Sequence, residues 1–194
     1  MKDLEKKSRK IVLAITGASG SIYAYKLLER LNGLKAPLKE IAVIFSETGR
    51  EIWKSEIGSE FHDEGFANEY DNSKYNAPFA SGSSQYDTMI ICPASMGTIG
   101  RIANGTSDDL IARTADVMLK ERRRLIIVPR EAPYSLIHIN NMKLLTLAGA
   151  IICPASPSFY SNPKTIDDLI MTLVDRIIDL AGFDSNGFRW MTND

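Results

Sequence analysis

The sequence predicts an α/β fold, a doubly wound and mainly parallel sheet of the Rossmann or flavodoxin kind in a single domain. Short apolar runs rich in Ile and Val recur along the chain without a two-residue alternation, as in strands covered on both faces. Amphipathic stretches with helical spacing lie between them. The first apolar run breaks at Gly17-Ala18-Ser19-Gly20-Ser21 into an amphipathic segment, which reads as strand, tight turn and helix.

Taken in order, the predicted strands are residues 11–16, 41–46, 88–92, 125–129 and 150–153. The first is followed by a helix over 22–31. Leu110, Ile111, Ala115, Met118 and Leu119 keep helical spacing, and so do Ile166, Leu169, Ile170, Leu173, Val174, Ile177 and Ile178. Thr165 with Asp168 reads as a capping box, and Ser107 with Asp108 as a further helix start. Residues 58–86 interrupt the rhythm with polar and aromatic residues and the loop Ala80-Ser81-Gly82-Ser83-Ser84. An extra helix, an edge strand, a lid and a solvated insertion all fit that stretch. The tail, 183–194, carries Trp190, an apolar ring that docks on its own core or on a neighbouring subunit.

With 194 residues, 44% hydrophobic and 24% charged, the chain buries one sizeable core and needs no second domain. One domain is expected over 1–194, with a charged extension at 1–10. A net charge of -1 gives no long-range attraction to nucleic acid or anionic lipid. The charged start leads into an apolar run too short for a signal segment or a membrane span, so a cytoplasmic protein is expected. Cys92 and Cys153 each lie in an apolar run before Pro and read as buried reduced thiols.

In doubly wound folds, ligands sit beyond the carboxyl ends of the strands. Hydroxyls and small residues gather there: Gly17-Ala18-Ser19, Ser46, Ser95-Met96-Gly97-Thr98 and Ser156-Pro157-Ser158-Phe159-Tyr160. Free N–H groups at the helix after Gly17-Ala18-Ser19 attract an anion, with phosphate the obvious guest, although the same turn also serves as a plain strand-to-helix connection. No G-x-G-x-x-G follows the first strand, so a mononucleotide site fits better than a dinucleotide one. Arg113, Lys120, Arg130 and Arg176 are cations for a second anion or, for the helix-borne ones, members of a solvated rim. Arg130-Glu131, between Pro129 and Pro133, reads as an ion pair on a stiffened strand end, in a site or bracing a turn.

Other chemistries lack their signatures. His62 and His138 have no metal-ligand neighbours at zinc spacing. Asp108-Asp109 and Asp167-Asp168 stand outside a D-D-x-x-D frame, so no metal is expected. No G-x-S-x-G nucleophile frame occurs.

With these residues in view, the sequence resembles the flavin prenyltransferases of the UbiX type from about Ile11 to Trp190. The motifs are TGASGS (16–21), Ser46 with Glu56 ten residues on, ASGS (80–83), CPASMGT (92–98), LIARTADVMLKE (110–121), VPREAPYSLIH (128–138) and SPSFYSNP (156–163). The resemblance implies transfer of a dimethylallyl group from dimethylallyl phosphate to N5 and C6 of reduced FMN, without metal, making the cofactor of a UbiD-type decarboxylase. It implies FMN contacts at Gly17, Ala18, Ser19, Ser46, Ser95, Thr98 and Arg130. It places Arg113, Lys120, Tyr160, Arg176 and Trp190 at the prenyl phosphate, and gives Ser19, Glu56, Lys120 and Glu131 the chemistry. It also implies a homo-oligomer of dodecamer size with sites between subunits.

Several fixed cations and a Tyr hydroxyl suit a monophosphate leaving group, which carries less charge than a diphosphate. An allylic cation needs an apolar, water-poor pocket, and ring closure at C6 needs a base, Glu131 or the departing phosphate. Two departures stand out: Asp109 where the family often has Asn, and a slightly short interval from Arg176 to Trp190. Two rival readings share the fold. One is an FMN-dependent cysteine decarboxylase, which relies on a catalytic His and a PASANT-like motif where this chain has PASMGT. The other is a non-catalytic flavin-binding subunit, which has no use for a second anion site.

Overall fold

Ile11, Val12, Leu13, Ala14 and Ile15 have no exposed surface, as in a central strand covered on both faces. They belong to β1 (Arg9–Ile15). The computed structural model describes residues 9–34, 38–62, 67–185 and 187–189. Within these, β1 is followed by α1 (Ser21–Asn32), β2 (Leu38–Phe45), α2 (Glu47–Ile57), β3 (Ala67–Tyr70), β4 (Tyr86–Ala94), α3 (Met96–Ala103) and α4 (Leu110–Lys120). β5 (Arg124–Pro129), α5 (Leu136–Ala148), β6 (Ile151–Ile152) and α6 (Ile166–Leu180) complete the order. The strands form one sheet in the order β3-β2-β1-β4-β5-β6, every neighbouring pair parallel.

Alternation along β1 divides the core. Ile11, Leu13 and Ile15 pack with Leu27, Leu31, Val174 and Ile177 of α1 and α6, whereas Val12 and Ala14 pack with Ile99, Leu110, Met118 and Leu145 of α3, α4 and α5. The predicted doubly wound architecture is therefore present, and the five predicted strands all form. β6 is shorter than expected, with two residues at the sheet edge. The sixth strand, β3, lies inside the ambiguous stretch. Its sequence, ANEY, buries only Ala67, so no apolar run announced it. The predicted capping box at Thr165 and Asp168 forms. The start of α4 is displaced from the predicted Ser107-Asp108: Asp109 is the cap, accepting the Ala112 N–H at 2.7 Å.

Further along the interrupting stretch, Asn72 and Tyr75 clasp the start of α4. Asn72 accepts the Leu110 N–H on its carbonyl at 2.9 Å and the Ile111 N–H on Oδ1 at 3.0 Å. The Tyr75 hydroxyl donates to Ser107 O at 3.1 Å. Phe79, wholly buried, stacks edge-on against Tyr70 and Tyr86.

α5 departs from the pattern of a covering helix. Leu136, Ile137 and Leu147 are 72%, 71% and 74% exposed, and Leu145 is its one buried residue. A helix that is apolar on faces its own core does not cover is suited to burial in an assembly. No described helix is long and apolar enough to cross a membrane.

Candidate functional site

The strand order reverses between β1 and β4, and the carboxyl ends of those two strands are tied by one side chain. Thr16, 1% exposed, donates its hydroxyl to Pro93 O at 2.9 Å and accepts the Ser95 N–H at 2.8 Å. Ser95 in turn caps α3, its hydroxyl accepting the Thr98 N–H at 3.3 Å and lying 3.1 Å from Thr98 Oγ1. The N–H groups of Met96 and Gly97, in the first turn, have no acceptor among the described residues, as helix geometry requires. A Cβ at Gly97 would meet only Arg101, at 3.9 Å, so the space over the turn is open. Two hydroxyls and two unmet N–H donors around open space fit a phosphomonoester.

Ser46 caps the neighbouring helix in the same way, its hydroxyl accepting the Gly49 N–H at 3.0 Å at the start of α2. Gly49 must be glycine for this approach, because a Cβ there would lie 2.4 Å from Ile15 O.

The helix start after Gly17-Ala18-Ser19 behaves differently from expectation. Gly20 has φ 109°, a left-handed conformation that glycine adopts freely. The anion at the α1 terminus is the chain's own Glu56, whose Oε2 accepts the Gly20 N–H at 2.9 Å and the Ser21 N–H at 2.8 Å. Those donors are not free for a phosphate, which leaves the α3 turn as the better cradle. Burial pushes the Glu56 carboxyl up, but bonds from the Ser19 hydroxyl and the two N–H groups outweigh it and hold the group below the usual carboxylate range.

Arg130 and Glu131 do not form the expected ion pair with each other. Arg130 Nε donates to Ser19 O at 2.9 Å and so bridges the β5 and β1 ends. Glu131, exposed, accepts the Ala132 N–H at 3.0 Å. The fixed backbone between Pro129 and Pro133 turns the two side chains to different partners, leaving the Glu131 carboxylate at the rim.

Next to Arg130, Ala155 N–H donates to Pro129 O at 3.0 Å, joining the β6 loop to the β5 end. That loop forms a wall of a cleft of about 770 Å³ lined by Cys153, Tyr160, Arg176 and the exposed edge of α6. Ser158 N–H donates to Thr172 Oγ1 at 3.0 Å, holding the Tyr160 segment on α6. Asp175 is paired with Arg30 at 3.2 Å and Asp179 with Arg189, while Asp168, also on the wall, accepts the Lys164 and Thr165 N–H groups at 3.0 Å. Arg176, exposed, makes no hydrogen bond or ion pair among the described residues, leaving its charge for a guest. Cys153 is half-buried and opens on the cleft, not enclosed as expected; burial pushes its thiol up, against the Arg176 charge. Cys92 is fully buried.

Arg113 and Lys120 are on α4, across the sheet from α6, so one chain does not bring them to Tyr160 and Arg176. Arg113 donates to Ala80 O at 3.1 Å and pairs with Asp116 at 3.1 Å, and Lys120 pairs with Glu121. Trp190 lies outside the described residues. Thr16 is the residue that sequence reasoning passed over; its signal is a hydroxyl ending an otherwise apolar strand.

A parallel sheet in this order, with anion cradles at its switch point, defines a mononucleotide-binding α/β protein. A family model for flavoproteins matches residues 2–179. The flavin prenyltransferase UbiX of Methanocaldococcus jannaschii is 43% identical over 186 residues, covering 94% of this chain and 99% of that protein. The crystal structure of AnUbiX in complex with FMN and dimethylallyl pyrophosphate superposes with TM-score 0.88 at 40% identity, over 97% of this chain and 100% of that one. A dodecameric FMN-dependent UbiX-like decarboxylase from Escherichia coli O157:H7 gives 0.86 at 33% identity, over 94% and 100%. The chain belongs to the flavoprotein family and, within it, to the UbiX-type flavin prenyltransferases.

Proposed function

We infer that this chain is a flavin prenyltransferase that moves a dimethylallyl group from dimethylallyl phosphate to N5 and C6 of reduced FMN, supplying a UbiD-type decarboxylase. The observation that carries this reading is the pair of separate anion-holding places on one rim, the Ser95–Thr98 turn and the cleft of Tyr160 and Arg176. FMN binding needs only the first. A second, cationic place beside it is what an allylic phosphate donor requires, and AnUbiX binds FMN together with a prenyl donor.

Ser95 and Thr98 hold the flavin phosphate with Ser46, while Gly17, Ala18, Ser19 and Arg130 line the flavin side. Arg176 and the Tyr160 hydroxyl take up charge on the departing phosphate. Glu56, held ionised, accepts and returns a proton through the Ser19 hydroxyl, and Glu131 or the freed phosphate removes the proton from C6. Arg113 and Lys120 reach this cleft from another copy, which fits the uncovered apolar α5 and the dodecamer of the E. coli relative. We therefore assign a homo-oligomer, a dodecamer, with shared sites, in a reducing cytoplasm suited to two free cysteines.

The test is anaerobic incubation with reduced FMN and dimethylallyl phosphate, without metal, followed by mass spectrometry of the extracted flavin. A mass increase of one prenyl unit is expected. Unmodified flavin in every sample refutes the assignment.

A further inference from the structure

Arg101 stands one helical turn below the α3 cradle and belongs to none of the motif positions assigned above. Its Nη2 donates to Thr98 Oγ1 at 3.3 Å. Its Nε is buried, lies 3.4 Å from Asp108 Oδ1 and makes no hydrogen bond. Nη2 is also 3.6 Å from Asp109 Oδ2, so two carboxylates at the start of α4 hold the guanidinium against α3.

The chemistry follows from which groups can only donate. A guanidinium has no acceptor, so Thr98 Oγ1 must receive the Arg101 proton, and the Thr98 O–H is left to donate elsewhere. Ser95 Oγ lies 3.1 Å away, a contact in which either hydroxyl can be the donor. Ser95 Oγ also accepts the Thr98 N–H, so with Thr98 donating to it the Ser95 O–H is left for a ligand. The Arg101 charge favours that arrangement, in which the donors run from Arg101 through Thr98 to Ser95 and each polarises the next. A chain of that polarity ends in a proton offered to an acceptor, which suits an anion. Reversed, it would present a lone pair and repel one.

We propose that Arg101, clamped by Asp108 and Asp109, is a positioning residue that fixes the Thr98 and Ser95 hydroxyls as donors and so tunes this turn for the flavin phosphate. The role rests on the reading of Ser95 to Thr98 as the phosphate cradle, and the test separates the two. FMN and riboflavin, which lacks the phosphate, are titrated by fluorescence against the full chain, Arg101→Met, Arg101→Lys, Thr98→Val and the Arg101→Met/Thr98→Val double variant. The expected result is about a tenfold weaker FMN affinity for Arg101→Met, from loss of a charge-assisted bond. Riboflavin affinity stays unchanged, Arg101→Lys recovers some of the loss, and the double variant is no worse than Thr98→Val alone. Equal wild-type affinity for both flavins overturns the phosphate cradle and the Arg101 role with it. A wild-type preference for FMN that Arg101→Met leaves intact overturns the Arg101 role alone, as does an equal loss for both flavins, which marks a general packing effect.

Discussion

Thr16 and Ser95, just past the ends of neighbouring strands and 79 positions apart in the chain, meet through a part-buried hydrogen bond of 2.8 Å from the Ser95 N–H to the Thr16 hydroxyl. That bond fixes the residue capping α3 relative to the turn after β1, so the two loops at the switch point are positioned as one unit. Thr16→Val keeps the shape but removes both the acceptor of the Ser95 N–H and the donor to Pro93 O, leaving the part-buried Ser95 N–H unmet. A loss of about 1–3 kcal/mol in stability is expected by urea denaturation, with weaker FMN binding by fluorescence. Thr16→Ser, which keeps the hydroxyl, should retain FMN binding. Undiminished affinity in Thr16→Val would remove the bond from the site's architecture.

Glu56 sits on the first N–H groups of α1, and its carboxyl is held below the usual range. A group with a depressed folded value stabilises the fold above its unfolded value, and that stabilisation is lost as pH falls through the folded value. Glu56→Gln should therefore be less stable than the parent at neutral pH, with the gap closing as the solution is acidified. The same substitution should slow prenylation by roughly a hundredfold while leaving FMN bound, the size of effect a missing proton acceptor gives. Denaturation at two pH values and single-turnover assays check both. A gap that widens in acid contradicts the assignment.

The sheet was legible because buried parallel strands are apolar throughout, and residues 41–45 need no partner to be recognised. β3 was not, because this four-residue edge strand leaves Asn68 and Glu69, on opposite faces, exposed and carries no apolar run. α5 escaped for the opposite reason: Leu136, Ile137, Leu144 and Leu147 point away from this chain's core, so its apolar residues trace no single face. At the site, the hydroxyls of Ser46, Ser95 and Thr98 could be read from their strand ends. The occupation of the α1 terminus by Glu56 could not, since it depends on the length of α2 carrying that carboxylate back across 36 positions to Gly20.

Arg176 separates donor binding from flavin binding. Its guanidinium faces a cleft in which Asp175 and Asp179 are already matched by Arg30 and Arg189. Arg176→Ala should raise the KM for dimethylallyl phosphate by about ten- to a hundredfold, the weight of a charge-assisted pair. FMN affinity should remain as in the parent. Steady-state kinetics at saturating FMN supplies the measurement, and an unchanged KM would return Arg176 to the solvated surface.

Arg113 and Lys120 on one face of the sheet, and Tyr160 and Arg176 on the other, set up a test of where the complete site lies. If α4 of one copy serves the cleft of the next, each impaired variant retains what the other lacks. Lys120→Ala has an intact cleft, and Arg176→Ala has an intact α4. Coexpressed in equal amounts, they should form mixed oligomers in which roughly one quarter of the sites draw Arg176 from one variant and Lys120 from the other, by random assortment across a repeated interface. With the donor held limiting, well below the raised KM of Arg176→Ala, prenylation should recover to about that fraction of the parent rate, whereas each variant alone, and the two mixed without exchange, should stay at about a tenth of it or less. Glu at both Ile137 and Leu147 should abolish the recovery, because charge on the uncovered face of α5 breaks the assembly without touching the chain's own core. Sedimentation velocity tracks the assembly and the flavin mass assay tracks the chemistry. No recovery in demonstrably mixed oligomers would take Lys120 out of the site that Arg176 serves.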